Sequence, residues 1–321
     1  MAELRWNPLI KDWVMIASHR QGRPQMPKDW CPFCPGSGKV PDSFDVLKYD
    51  NDFPALSQNP PVPDDVANDF FKTAESYGKC EVILYSSDHT VTLPQLPAFH
   101  IRKIVDLWTQ RFVELSKDEK IKYIFIFENR GEVVGVTMPH PHGQIYGYSF
   151  IPKRIETELL SCGEHYKKTG KCLICDLTKE ETAEKKRIIT ENEHFIVYLP
   201  FFNEYPYGTY VVSKSHKQNI AELSDGEKDS LAQILRDITG AYDCLFDKQF
   251  PYMMCMYQNP VNSEDVKEFY HFRIVFYPPL RAANNQKFNA SSETGAWAHC
   301  NPTAPEEKAE ELRQALKKFK S

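Results

Sequence analysis

One ordered series of motifs occurs twice along this chain, so its fold must accommodate two copies of one unit. In the first half Cys31-Pro32-Phe33-Cys34 precedes a strand-like stretch at 81–85, then Asp88-His89, then a helical stretch at 101–115. The apolar residues Ile101, Ile104, Val105, Leu107, Trp108, Phe112 and Leu115 recur at the spacing of one helix face. A strand-like 123–127 follows, then a turn at 128–131, then Met138-Pro139-His140-Pro141-His142-Gly143-Gln144. The second half repeats the order with Cys172-Leu173-Ile174-Cys175, strand-like 195–199 and 209–212, Ser215-His216, a helical 225–245, and strand-like 252–256 and 270–277. This doubling predicts an α+β protein of two tandem halves, 1–155 and 156–321. Each half is an antiparallel sheet with helices packed on it, and the two sheets are free to join into one surface. The segment 148–171 connects the halves. The charged stretch 179–187 reads as a solvated helix face or loop, and 306–320 as a final amphipathic helix with Leu312 and Leu316 on its apolar side.

Composition narrows the function classes. At 41% hydrophobic and 13% aromatic, 321 residues can bury a substantial core, and a formal charge of −5 gives no global attraction to nucleic acid or an anionic membrane. Any phosphate must therefore be held by local groups. No apolar run approaches the ~20 residues of a membrane span. The start, Met1-Ala2-Glu3-Leu4-Arg5-Trp6, lacks a signal-peptide core. Nine cysteines, four of them in Cys-x-x-Cys pairs, read as metal ligands in a reducing compartment rather than disulfides, which places the chain in the cytoplasm.

In an extended strand, residues two apart share a face, so His140, His142 and Gln144 would line up toward one site. Two imidazoles and an amide, with Gly143 admitting a ligand close to the backbone, suit nucleophilic attack on a phosphoryl group. The paired cysteines need two more ligands for a tetrahedral Cys2His2 ion. The first half offers Cys31, Cys34, His89 and His140. By the repeat, the second offers Cys172, Cys175, His216 and His271. Two structural zinc sites are expected. A thioredoxin-type redox pair is the other reading, and it lacks the strand–helix setting of that motif. His100, His165, His194 and His299 have no counterpart in the repeat and read as surface or structural residues. His19 reads as a local hydrogen-bonding residue.

With these motifs in place, the chain resembles the galactose-1-phosphate uridylyltransferases, a branch of the histidine triad superfamily. The resemblance covers nearly the whole chain. It rests on Asn7-Pro8-Leu9, Ser18-His19-Arg20-Gln21-Gly22-Arg23-Pro24, the first Cys-x-x-Cys, Asn51-Asp52-Phe53, Glu128-Asn129-Arg130-Gly131, His140-Pro141-His142-Gly143-Gln144 and Phe276-Tyr277-Pro278-Pro279-Leu280. It implies two histidine-triad-like half-domains, the second catalytically inert. It also implies ping-pong transfer of a nucleoside monophosphate from a nucleotide sugar to a hexose 1-phosphate. His142 would be the nucleophile that carries the nucleotidyl group, and Gln144 a hydrogen-bond donor to a phosphate oxygen. An amide cannot donate a proton, but a sugar phosphate needs little acid assistance to leave. Carried over residue by residue, Arg20 and Arg23 face phosphate, Asn51, Asp52 and Phe53 hold the nucleoside, and Phe33 packs on base or ribose. Asn129 lies near the nucleotide phosphates, Thr137 keeps a substrate-binding hydroxyl where the family often has serine, and Lys287 and Glu293 face phosphate and hexose. The family also implies a homodimer with the active site at the subunit interface.

The chain departs from the family in two places. Some members carry iron on one glutamate and three histidines; Glu158 is in place, but Gln258, Arg273 and Val275 stand where the histidines would be, so no iron is expected. Ser291, Ser292 and Thr294-Gly295-Ala296-Trp297 replace residues the family uses around the hexose. Three functions therefore stand. The first is uridylyl transfer between UDP-glucose and galactose 1-phosphate. The second is adenylyl transfer of the ADP-glucose phosphorylase type through the same His142. The third is a non-catalytic, zinc-stabilised nucleotide-binding protein.

Overall fold

A computed structural model describes residues 2–22 and 30–321. The chain runs through β1 (Glu3–Asn7), β2 (Asp12–Ile16), β3 (Leu47–Asp50), β4 (Thr73–Glu75), β5 (Gly78–Leu84), α1 (Ala98–Leu115), β6 (Tyr123–Arg130) and β7 (His142–Tyr148). It continues through α2 (Lys153–Thr169), α3 (Leu173–Glu184), β8 (Ile188–Glu191), β9 (Phe195–Tyr198), β10 (Thr209–Ser213), α4 (Asp225–Leu245), β11 (Tyr252–Tyr257) and β12 (Arg273–Tyr277). The last elements are β13 (Leu280–Ala282), β14 (Asn285–Gln286), α5 (Ser291–Ala296) and α6 (Pro305–Lys320).

The repeat becomes one nine-stranded antiparallel sheet in the order β3-β5-β7-β6-β11-β12-β10-β9-β8. β6 and β11 meet at its centre, with Tyr252 opposite Arg130 and Met256 opposite Ile126. Outward from that seam β6, β7, β5 and β3 are answered by β11, β12, β10 and β9. Helices α1 and α4 cover one face. Ile101, Ile104, Val105 and Trp108 of α1 and Leu231, Leu235 and Ile238 of α4 are buried with Ile124, Ile126, Met254 and Ile274 of the strands. At roughly 1.5–3 kcal/mol for each fully buried large apolar side chain, this layer dominates stabilisation. Leu312 and Leu316 of α6 join the same core. α6 can seat on α4 because Gly240 has no side chain: a Cβ there would lie 2.4 Å from the Phe319 ring.

The other face is covered piecemeal. The small sheet β2-β1-β4 packs Leu4, Trp13 and Met15 near Cys80 and Tyr146, toward the far end of β5 and β7. In the second half α2 lies on the sheet, with Ile155 and Leu159 among Tyr257, Val275 and Tyr210. The start of β7 is left facing a cavity. Among the described residues no helix is long and apolar enough to cross a membrane.

Some boundaries differ from the sequence reading. The expected turn at 128–131 is strand through Arg130, because Glu128 and Arg130 pair with β11 across the seam. The strand expected at 270–277 starts at Arg273, and β7 starts only at His142. His271 and His140 therefore lie in the approaches to their strands, where the backbone is not bound to the pleat. The segment 179–187 is not simply solvated: Glu181 and Arg187 are both buried and joined at 2.8 Å, and Glu181 also accepts from the Phe201 N–H. The stretch 148–171 contains all of α2.

Candidate active site

Both predicted ligand sets are assembled. Cys31, Cys34, His89 and His140 bring four donor atoms within 4.8 Å of one another, and Cys172, Cys175, His216 and His271 do the same. Cys34 Sγ is 3.3 Å from His89 Nδ1, and His140 Nδ1 is 3.7 Å from Cys31 Sγ and 3.8 Å from Cys34 Sγ. Cys175 Sγ is 3.3 Å from both His216 Nδ1 and His271 Nδ1. Ordinary zinc–sulfur and zinc–nitrogen bonds put such atoms about 3.6 Å apart around a tetrahedral ion. The outer nitrogens are also fixed: His140 Nε2 lies 2.8 Å from the Ser86 carbonyl, His216 Nε2 2.7 Å from the Lys267 carbonyl, and His271 Nε2 2.8 Å from Ser213 Oγ. A carbonyl can only accept, so Nε2 of His140 and of His216 carries the proton and Nδ1 presents a lone pair to the cluster. Burial pulls the His140 and His271 imidazoles below their ordinary value, favouring the neutral ring that a metal binds. Burial also pushes the Cys31 thiol up to about 11, so its thiolate needs a cation beside it. The donor set fits a zinc-type ion at both places.

His142, the first residue of β7, lies two residues beyond His140 of the first cluster. Its Nδ1 lies 2.7 Å from the His140 carbonyl oxygen, which again can only accept. Nδ1 therefore carries the proton and the lone pair is on Nε2. His140 thus turns its ring to the cysteines and its carbonyl to His142. His140 lies just before β7, and it lines with His142 the same cavity.

Two cavities meet at His142. One, of about 270 Å³, is lined by Trp30, Phe33, Lys39, Tyr49, Asn51, Asp52, Phe53 and Gln144 among others. Phe33 is buried, its ring centroid 6.1 Å from those of both His140 and His142. Asp52 is held by Lys39 Nζ at 2.8 Å and by the Tyr49 hydroxyl at 2.9 Å. The Asn51 side chain accepts from the Phe53 N–H at 2.9 Å, which sets the loop. The other cavity, of about 470 Å³, runs from His142 past Asn129, Gly131 and Met138 to Tyr85 and Glu128. Thr137 is half-buried in the loop between these walls.

The remaining predicted residues are distributed unevenly. Arg20 donates to the Tyr146 hydroxyl at 3.2 Å, two positions along β7 from Gln144. Arg23 lies outside the described residues. Lys287 and Glu293 are joined at 3.1 Å, with Lys287 over the Tyr205 ring, and line neither cavity. Glu158 is engaged by the Arg273 guanidinium, and Gln258 is buried with its side-chain oxygen accepting from Ile220 N–H. Sequence reasoning missed Trp30, Lys39, Tyr49, Tyr85 and Glu128. Tyr49 and Lys39 carried no motif of their own, and Glu128 was read as part of a turn.

Comparison with known proteins adds an independent line. A family model for galactose-1-phosphate uridyl transferase, N-terminal domain, matches residues 1–152, and one for its C-terminal domain matches residues 159–320. The galactose-1-phosphate uridylyltransferase of Thermotoga maritima is 43% identical over 315 residues, covering 98% of each chain. That of Haemophilus influenzae is 35% identical, covering 96% of this chain and 93% of its own. A solved uridylyltransferase structure superposes with a TM-score of 0.90 at 30% identity, covering 98% of this chain and 99% of that one. An ADP-glucose phosphorylase from Arabidopsis thaliana, solved with ADP-glucose, shares the fold with a TM-score of 0.74 at 23% identity, covering 98% and 99%.

Proposed function

The chain belongs to the galactose-1-phosphate uridyl transferase family, and from that premise we propose that it moves a uridylyl group between UDP-glucose and galactose 1-phosphate through His142. The observation that carries this reading is the 2.7 Å contact from His142 Nδ1 to the His140 carbonyl. It leaves Nε2 as the nucleophilic nitrogen and fixes the ring where two cavities meet. In the first half-reaction Nε2 bonds to the α-phosphorus while the bond from phosphorus to the glucose 1-phosphate oxygen breaks. In the second, a phosphate oxygen of galactose 1-phosphate bonds to that phosphorus and the N–P bond breaks. Gln144 donates to a non-bridging oxygen, where charge builds in the transition state. The smaller cavity, with Phe33 and the Asn51–Phe53 loop, receives the nucleoside. Zinc at either cluster would be structural, contributing folding energy and, through His140, the orientation of His142. The second half is inert because Arg273 stands where His142 does in the first.

Lys287 and Glu293 line neither cavity, so their proposed contacts with phosphate and hexose are made at the site of a second copy of the chain in a homodimer. Mixing His142→Ala with Lys287→Ala tests this: restored transfer supports a shared site, and none speaks against it. The central experiment is intact-mass spectrometry after separate incubation with UDP-glucose and ADP-glucose, no acceptor present. A uridylyl adduct absent from His142→Ala supports the proposal. An adenylyl adduct moves the chain to the chemistry named for the Arabidopsis relative, and no adduct with either overturns covalent transfer.

A further inference from the structure

We propose that Tyr85 and Glu128 are positioning residues for His142, forming a buried brace behind the catalytic strand; the proposal rests on the transferase reading above. Tyr85 directly follows β5 and is tied on every side. Its N–H donates to the Pro141 carbonyl at 3.0 Å, and its own carbonyl accepts from His100 Nε2 of α1 at 2.7 Å. Its ring stands edge-on to Trp108, with centroids 6.0 Å apart. Its hydroxyl lies behind Gly143, where a Cβ would come within 2.3 Å of the phenol oxygen. The next residue, Ser86, takes the His140 Nε2 hydrogen bond at 2.8 Å. Residues 85 and 86 therefore touch 140, 141 and 143, and His142 is the residue those contacts enclose.

Glu128 holds the far end of the brace. Its two carboxyl oxygens accept from the Tyr85 hydroxyl at 3.2 Å and the Tyr252 hydroxyl at 3.0 Å. It is 5% exposed, and with Tyr85 it lines the cavity that His142 shares. Its neighbours on the same face of β6, Ile124 and Ile126, are apolar and fully buried. The fold alone would be served by another apolar residue there, because a buried carboxylate is destabilising unless well compensated. The nearest cation, Arg130, is turned to Asp243 of α4 at 2.8 Å rather than bonded to Glu128. A charge is useful at this place because uridylylation at Nε2, with Nδ1 still protonated, makes the imidazole cationic. A buried carboxylate lining the same cavity favours that state.

Burial raises Glu128 from 4.5 to about 7, against the lowering effects of Arg130 and the Tyr252 and Tyr85 hydrogen bonds. The other titratable or charged groups around it are Asp243 behind Arg130, and His89, Glu132, His140 and His142 along the cavity. The sign follows. The folded protein binds this proton more tightly than the unfolded chain, so the contribution of Glu128 to stability falls as pH rises from 4.5 to about 7. The ionised carboxylate, which both phenols can serve as donors, is complete only above that range.

The test is the rate of uridylyl-enzyme formation from UDP-glucose by rapid quench between pH 6 and 8, with melting temperatures, for the parent, Glu128→Gln and Tyr85→Phe. Both variants should form the adduct at least ~10-fold more slowly, with KM changed no more than about threefold, the scale expected for a slightly misplaced nucleophile. Glu128→Gln should also lose the rise in rate through pH 7 and, with the buried charge gone, melt no lower than the parent at pH 8. A slower variant that keeps the pH profile and melts in proportion to its lost rate would show a merely structural residue and overturn the proposal. So would parent-like rates in both variants. If the parent itself forms no adduct, the transferase reading fails first and this inference falls with it.

Discussion

Strand β7 in the first half and β12 in the second are approached alike and present different residues to different surroundings. Each follows a histidine held in a Cys2His2 cluster, and each is flanked by corresponding strands. At the first strand residue, β7 presents His142 to two cavities. β12 presents Arg273, fully enclosed, paired with Glu158 of α2 and stacked against Tyr257 at 4.5 Å. A cluster precedes each strand; the residue that follows, and what covers it, decides whether the strand start is open or enclosed. Helix α2 covers the second half where the first has open space. The helix is therefore as much a part of the asymmetry as the arginine.

The comparison breaks most visibly at His142. His142→Ala should lower transfer by at least ~10⁴-fold, with fold and zinc content unchanged, read by product formation and metal analysis. Transfer surviving in that variant would mean that the two strands do not differ as described.

The two clusters are alike in ligands but differ in what they hold. Cys31→Ser should lower both melting temperature and turnover, the latter ~10–100-fold, because His140 then no longer orients His142. Cys172→Ser should lower the melting temperature by roughly 10 °C and leave turnover per folded molecule within about threefold. Equal losses of turnover would erase the distinction.

Strand β12 offers a stability measurement. Arg273→Met removes the guanidinium from Glu158, which keeps Arg154 at 3.5 Å and the Tyr270 hydroxyl at 3.2 Å, and should cost about 1.5–3 kcal/mol by denaturant titration, with transfer unchanged. Adding Glu158→Gln should recover much of that loss. The smallest effect belongs to the rim of the nucleoside cavity. The Lys39–Asp52 pair is nearly half exposed on both sides, so Lys39→Ala should raise KM for the nucleotide sugar about threefold, with kcat held.

Much of this was legible in the residues themselves. The repeat predicted two sheets of antiparallel strands, and the spacing of Ile101, Ile104, Val105, Trp108 and Phe112 marked the buried face of α1. Both ligand sets could be paired before any fold was known, because Cys-x-x-Cys brings two thiols together locally and the repeat supplies the matching histidines. Alternation within a short run placed His142 and Gln144 on one face, and both line one cavity. Local spacing is enough for such features because the covalent chain alone fixes which side chains share a face.

Other features depended on contacts between distant segments, which a sequence pattern does not encode. Pairing across the β6–β11 seam drew Glu128 into the sheet and made strand of an expected turn. Glu181 and Arg187 lost their water because Phe201 and α6 close over them. The Tyr85–Glu128–Tyr252 group joins three strands' worth of sequence through hydrogen bonds. Lys287 and Glu293 pair with each other and line neither His142 cavity. Local spacing marked the two Cys/His sets and the His142 strand. Burial, pairing and desolvation, which exist only once distant segments meet, decided which of two similar strands keeps an open site.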